Sequence, residues 1–206
     1  EDIWSSYFSR FQETYHRPTY EKMHPTGRKK DYQYRLDVMD RAVTAGFDDV
    51  GIGALLGLYD YRFDCVAAIA HSRHLYDEFG AHAHTISIPR LRPSRSGLEG
   101  TPHAVTDDDV KKIAAVYRLS APSAGVVVST REPAQLRSFL IRAGASQLSA
   151  ASRTNPGGYA GKGDALEQFS TNDKRTLHEV LSSVADEGLL PSLCTTCYRV
   201  GRVGRD

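Results

Sequence analysis

Short apolar runs alternate with helix-length amphipathic stretches along most of this 206-residue chain. The runs fall at Phe8–Tyr15, Asp49–Ala54 (DVGIGA), His84–Pro89 (HTISIP), Gly125–Thr130 (GVVVST), Ser146–Ala151 and Leu189–Thr195. Between them, Tyr32–Ala45, Phe63–Phe79, Asp107–Leu119, Pro133–Ala143 and Arg175–Asp186 carry apolar residues at helical spacing. Gly46, Gly80, Gly144 and Gly188 stand where those helices should stop, and Thr106 is placed to cap the third. The strands show little polar alternation, as expected when both faces are covered. Such a βαβα order predicts a parallel sheet with helical crossovers. Polar residues gather just after the strands, where a βα barrel or an open α/β sheet places its chemistry. Six strands fall short of eight. The expected fold is therefore α/β, a partial (β/α)8 TIM-type barrel lacking its first βα units.

Composition narrows the function classes. A formal net charge of +1 gives no bulk argument for nucleic-acid or membrane partners. No apolar run approaches the roughly 20 residues that span a bilayer. Residues 1–20 lack the apolar core of a signal peptide. Three cysteines, Cys65, Cys194 and Cys197, do not make a secreted disulfide framework, so a reducing cytoplasm is expected. The first residue is Glu1, and only nine residues follow Cys197. Truncation at both ends is the expectation.

Four features carry chemistry. Cys194-Thr195-Thr196-Cys197 has the spacing of a redox pair, half a structural zinc site, or part of an iron–sulfur site. A redox pair wants an early strand–helix setting, and zinc wants two further ligands nearby. Neither is present, so a cluster with a third cysteine beyond Asp206 remains the best option. Gly51-Ile-Gly53-Ala-Leu-Leu-Gly57 has neither dinucleotide nor P-loop spacing. It is either a tight strand–helix turn or a place where a flat ligand such as adenine approaches the backbone. Arg90, Arg92, Arg131 and Arg153 each follow a strand; gathered at one mouth they would grip carboxylates, and scattered they would make surface ion pairs. His84 opens a strand, which in a barrel is the face opposite the usual active site, where a histidine is commonly structural.

Those residues lie within longer matches. Phe11 to Gly27 (FQETYHRPTYEKMHPTG), DVGIGALLGLYDYRF (49–63), ISIPRLRP (86–93), VVVSTRE (126–132) and SAASRTNPGGY (149–159) resemble the radical SAM tyrosine lyases. That family includes 2-iminoacetate synthases of the thiamine pathway and the HydG-type maturases of FeFe-hydrogenase. The resemblance covers about residues 11–204. It implies three parts: a non-matching segment 1–10, a partial barrel 11–193 that includes the biotin and thiamin synthesis-associated region, and the start of an auxiliary-cluster extension at 194–206. The ending SLCTTCYRVGRVG and the stretch HTISIPR resemble the HydG-type branch.

The likeness further implies S-adenosyl-L-methionine as cofactor, with 4Fe-4S clusters, and L-tyrosine as substrate. The Cα–Cβ bond of tyrosine is cleaved to p-cresol and dehydroglycine. The latter feeds CO and cyanide to hydrogenase maturation, with the other maturation proteins as partners. Gln12, Glu13, Tyr15, Gly51, Gly53 and Arg92 are implied to face S-adenosylmethionine. Ser152, Arg153 and Arg90 are implied to hold tyrosine. Cys194, Cys197 and His84 are implied to bind the second cluster and its extra iron, with His71 the alternative histidine. The family's three-cysteine motif for the first cluster is absent from this sequence. The chain by itself is therefore expected to be inactive. A thiamine-pathway imine source and a non-catalytic binding remnant are the alternative readings.

Overall fold

A computed structural model describes residues 7–47, 49–92, 103–154 and 171–193. Five parallel strands lie in chain order: β1 (Tyr7–Ser9), β2 (Asp49–Gly53), β3 (Thr85–Ser87), β4 (Gly125–Val128) and β5 (Gln147–Leu148). The helices are α1 (Arg17–Met23), α2 (Tyr32–Leu36), α3 (Val38–Thr44), α4 (Tyr61–Phe79), α5 (Asp107–Ser120), α6 (Ala134–Arg142) and α7 (Leu177–Asp186). Each strand pairs with the next in sequence and the order never reverses. This is the progression of a βα barrel, and it has no switch point of the doubly wound kind.

Register explains why the strands look so apolar. Ser9, Gly51, Thr85 and Gly125 align across four strands, and Phe8, Val50, Ile86 and Val126 alternate with them. Val50, Ile52, Ile86, Ile88, Val126 and Val128 are buried in one core with Met39, Ala68, Leu75, Ile113, Tyr117 and Leu140 from the helices. Each buried Val, Ile, Leu or Met side chain contributes roughly 1.5–3 kcal/mol of burial. The opposite face carries small and polar residues: Tyr7, Ser9, Asp49, Gly51, Gly53, Thr85, Ser87 and Gln147. Half of the alternation was thus hidden in the sequence, because glycines and hydroxyls fill the inward positions.

Caps set the helix limits. Thr106 accepts from the Asp109 backbone while the Asp109 side chain returns to Thr106, and Thr176 and Glu179 do the same for α7. Gly80 ends α4 in the left-handed conformation at φ 73°. Three expectations need correction. Tyr32–Ala45 is two helices, since Asp37 leaves the helical conformation at ψ 10° and forms the junction. The strand expected at Phe8–Tyr15 pairs regularly only at Tyr7–Ser9, then through a single bridge from Glu13 to Ala54. Leu189–Leu193 is not a strand: Leu190 is 94% exposed and Leu193 66%, with no ladder partner among the described residues. Thr195 lies outside the described residues. Helix α1 went unanticipated, although Pro18 at its first turn is a helix-start signal.

Candidate functional site

The carboxyl ends of β1, β3 and β4 converge. Glu13 follows β1 at φ 74°, a conformation that non-glycine residues seldom adopt. Buried Asp64, in the first turn of α4, holds the next two residues: its carboxylate accepts from Thr14 Oγ1 at 2.9 Å and the Tyr15 amide at 2.7 Å. Burial raises the Asp64 pKa, against the opposing pull of these hydrogen bonds. So fixed, Glu13 Oε1 receives Lys29 Nζ at 2.6 Å and Arg35 Nη2 at 3.3 Å. Ser9, Arg10, Phe11, Glu13, Lys29 and Arg35 line a pocket of about 280 Å³. Its mixed charges and its ring suit a zwitterionic ligand.

Beyond β3 and β4 lies an arginine cluster around Glu132, which is fully buried. Arg90 Nε donates to both Glu132 oxygens at 3.0 Å, and its Nη2 also contacts Oε2. Arg90 further reaches Asp107 at 2.8 Å and the Val105 carbonyl at 2.9 Å. Burial works against its charge, yet Glu132 and Asp107 hold its pKa above the ordinary value. Arg92 Nη2 lies 3.2 Å from Glu132, and its buried Nε has no hydrogen-bond partner among the described residues. Arg131 donates to the Arg90 carbonyl at 3.1 Å. Burial lowers its pKa and Arg92 adds to that, while Glu13 and Glu132 oppose it. Glu13 and Arg131 thus share one electrostatic environment although their strands are three apart. Arg137, fully buried in α6, contacts Asp173 and the Ser149 carbonyl, tying the end of β5 to the segment before α7.

The expected site residues fare differently. Glu13 and Arg92 lie in this convergent region. Arg90, expected at the substrate carboxylate, is engaged as a bracket between Glu132, Asp107 and Val105. Tyr15, expected at the cofactor, points into the core: it is 6% exposed and its hydroxyl meets His71 Nδ1 at 3.0 Å. Gln12 is buried, with no partner for Nε2 among the described residues. The space at Gly51 is taken by the chain's own groups: a Cβ there would collide with the Tyr7 hydroxyl and lie 2.6 Å from Thr85 Oγ1. At Gly53 it would lie 2.8 Å from the Ser87 carbonyl oxygen. These glycines let strands and side chains crowd together. Ser152 is half-buried and Arg153 exposed, just past β5. Arg131, which the strand-end pattern had grouped with the other arginines, is the more enclosed candidate.

At the opposite end of the sheet, His84 is buried with its Nδ1 3.4 Å from Asp49 Oδ1 and its ring edge-on to Tyr7 at 5.7 Å. Imidazole and carboxylate suit divalent iron. No group of three metal-ligating side chains forms among the described residues. Cys194 and Cys197 lie outside them. His71, on α4, bonds Tyr15.

Residues 87–190 match the Biotin and Thiamin Synthesis associated domain. The 2-iminoacetate synthase of Salmonella typhimurium is 40% identical over 184 residues, and that of Escherichia coli 38% over 183. Each alignment covers 88% of this chain and 48% of the relative, so the chain spans about half the length of these curated relatives. A crystal structure of HydG, a maturase of the [FeFe]-hydrogenase, superposes with a TM-score of 0.88 at 49% identity, over 96% of this chain and 43% of that one. HydG from Carboxydothermus hydrogenoformans gives 0.86 at 42%, over 94% and 44%. Methylornithine synthase, at 18% identity and a TM-score of 0.61 over 90% of this chain and 52% of that one, shares the fold. The five strands are part of a radical SAM barrel, and the chain belongs to the biotin- and thiamin-synthesis-associated family, in its HydG and 2-iminoacetate synthase branch.

Proposed function

We propose that this chain carries the substrate-facing part of a radical SAM tyrosine lyase that cleaves the Cα–Cβ bond of L-tyrosine. The observation behind this reading is the enclosed Arg131 at the end of β4, beside Arg92 and within the field of Glu13. Arg131 and Arg92 take the α-carboxylate of tyrosine, with Ser152 and Arg153 at the rim. Glu13 and the pocket beneath it would hold S-adenosylmethionine, which, on accepting one electron from an iron–sulfur cluster whose ligands this sequence lacks, would supply the hydrogen-abstracting radical. His84, beside Asp49, together with Cys194 and Cys197 would bind the second iron–sulfur cluster. The cysteine pair and the higher identity to the HydG structures favour hydrogenase maturation, in a reducing compartment, over thiazole synthesis.

Two measurements test the proposal. The chain, reconstituted anaerobically with iron and sulfide, is expected to bind L-tyrosine but to form neither 5′-deoxyadenosine nor p-cresol, because the sequence lacks the three-cysteine motif. Turnover by this chain overturns that division of labour. Arg131→Ala is expected to weaken L-tyrosine binding about tenfold to hundredfold, the worth of one charged hydrogen-bonding partner. Unchanged affinity in calorimetry removes Arg131 from the site. A remnant that only binds its ligands predicts the same calorimetry. It is separated by joining the chain to an upstream half-barrel from a relative, since a remnant stays silent there.

A further inference from the structure

Glu132 makes no contact with solvent, yet it sits among cations that a ligand would need. A buried carboxylate costs several kcal/mol unless it is paired and hydrogen-bonded. Here Arg90 and Arg92 both pair with it, Arg90 also meets Asp107, and Arg131 lies in the field of Glu13 and Glu132. Asp107 is 55% exposed, so solvent screens its share. Arg90 points both of its edges at protein acceptors. Arg92 differs: one terminal nitrogen is held by Glu132, and the buried Nε beside it has no partner among the described residues.

We infer that Glu132 is a positioning residue: it fixes the Arg92 guanidinium so that its remaining edge, with Arg131, receives a single carboxylate. This rests on the tyrosine-binding reading above and adds to it a residue that never touches the ligand. Two roles for a buried acid in such a place predict opposite signs. A simple countercharge weakens anion binding, so deleting it should tighten the site. A positioning residue makes the arginine edge available in one orientation, so deleting it should loosen the site despite the added positive charge.

The test measures binding of L-tyrosine and of tyramine, which lacks the carboxylate, by calorimetry on the full chain. Wild type is expected to prefer L-tyrosine by about tenfold or more, one charged contact's worth. Glu132→Gln is expected to lose most of that preference while tyramine affinity stays within about twofold. L-Tyrosine binding that is equal or tighter in folded Glu132→Gln overturns the inference. Should far-UV circular dichroism show that this variant fails to fold, Arg92→Lys decides: it keeps the charge without the fork. Retained preference in Arg92→Lys overturns the inference, and lost preference supports it. Wild type without any preference for the carboxylate brings down the tyrosine-binding reading itself. A wild-type preference unaffected in the variants brings down only the role of Glu132.

Discussion

His71 shows how one residue ties the core to solution conditions. Its ring is packed between α4 and Tyr15, and burial pushes its pKa down from 6.5 to about 4. The folded state therefore favours the neutral ring. That stability is complete above pH 6.5 and is lost as pH falls towards 4, a change on the order of 3 kcal/mol. His74, three residues on, is raised by its bond to Asp40 and contributes with the opposite sign. Urea unfolding of wild type and His71→Gln at pH 7 and pH 4.5 isolates the effect: the variant should lose less stability between the two. Equal losses show that His71 does not titrate as its burial dictates. The same residue-by-residue view explains what the sequence made legible in the site. Strand-end position placed Arg90, Arg92 and Arg131 in one region. It could not tell which guanidinium was engaged, because Glu132, next to Arg131, reaches across to Arg90 and Arg92, and Asp107 comes from another segment of the chain. The inward turn of Tyr15 was hidden for a similar reason. Its position after β1 was readable, whereas its orientation follows from Asp64, about fifty residues away, which turns the backbone at Glu13.

Elements with local determinants were the most readable. Helices α5 and α7 begin at capping boxes written within four residues, and α4 ends on a glycine. The break between α2 and α3 was hidden, since apolar spacing continues across Asp37 and only the local dihedral departs. Strand β5 reduces to Gln147–Leu148, and Leu189–Leu193 lacks a neighbour to pair with among the described residues. Pairing is a property of two segments, so neither result could be read from one. Helix α4 does the most work for the site, because Asp64 in its first turn anchors the Glu13 turn. Replacing Asp64 with Ala leaves the Thr14 hydroxyl and the Tyr15 amide buried without acceptors, at a cost of about 3 kcal/mol. Chemical denaturation should register that loss, and S-adenosylmethionine affinity should fall with it. A variant of wild-type stability shows that the turn holds without its anchor.

At the scale of the whole molecule, the sheet runs from β1 to β5 without closing among the described residues, so both outer strands present unsatisfied backbone groups. The chain is expected to self-associate at micromolar concentrations, giving a sedimentation coefficient that rises with concentration. A monomer that persists to about 100 μM shows that other segments shield the edges. Inside the curl of the sheet, Gly51 has a consequence for how this protein can change over generations. The volume of its missing side chain is already occupied by Tyr7 and Thr85, whose hydroxyls bond each other at 2.6 Å. A larger residue at position 51 requires the Tyr7 and Thr85 hydroxyls to move or be shortened, at the expense of the hydrogen bond between them. The three positions therefore form an epistatic lock: single steps are penalised, and the interior is crossed only by coordinated replacement of the set.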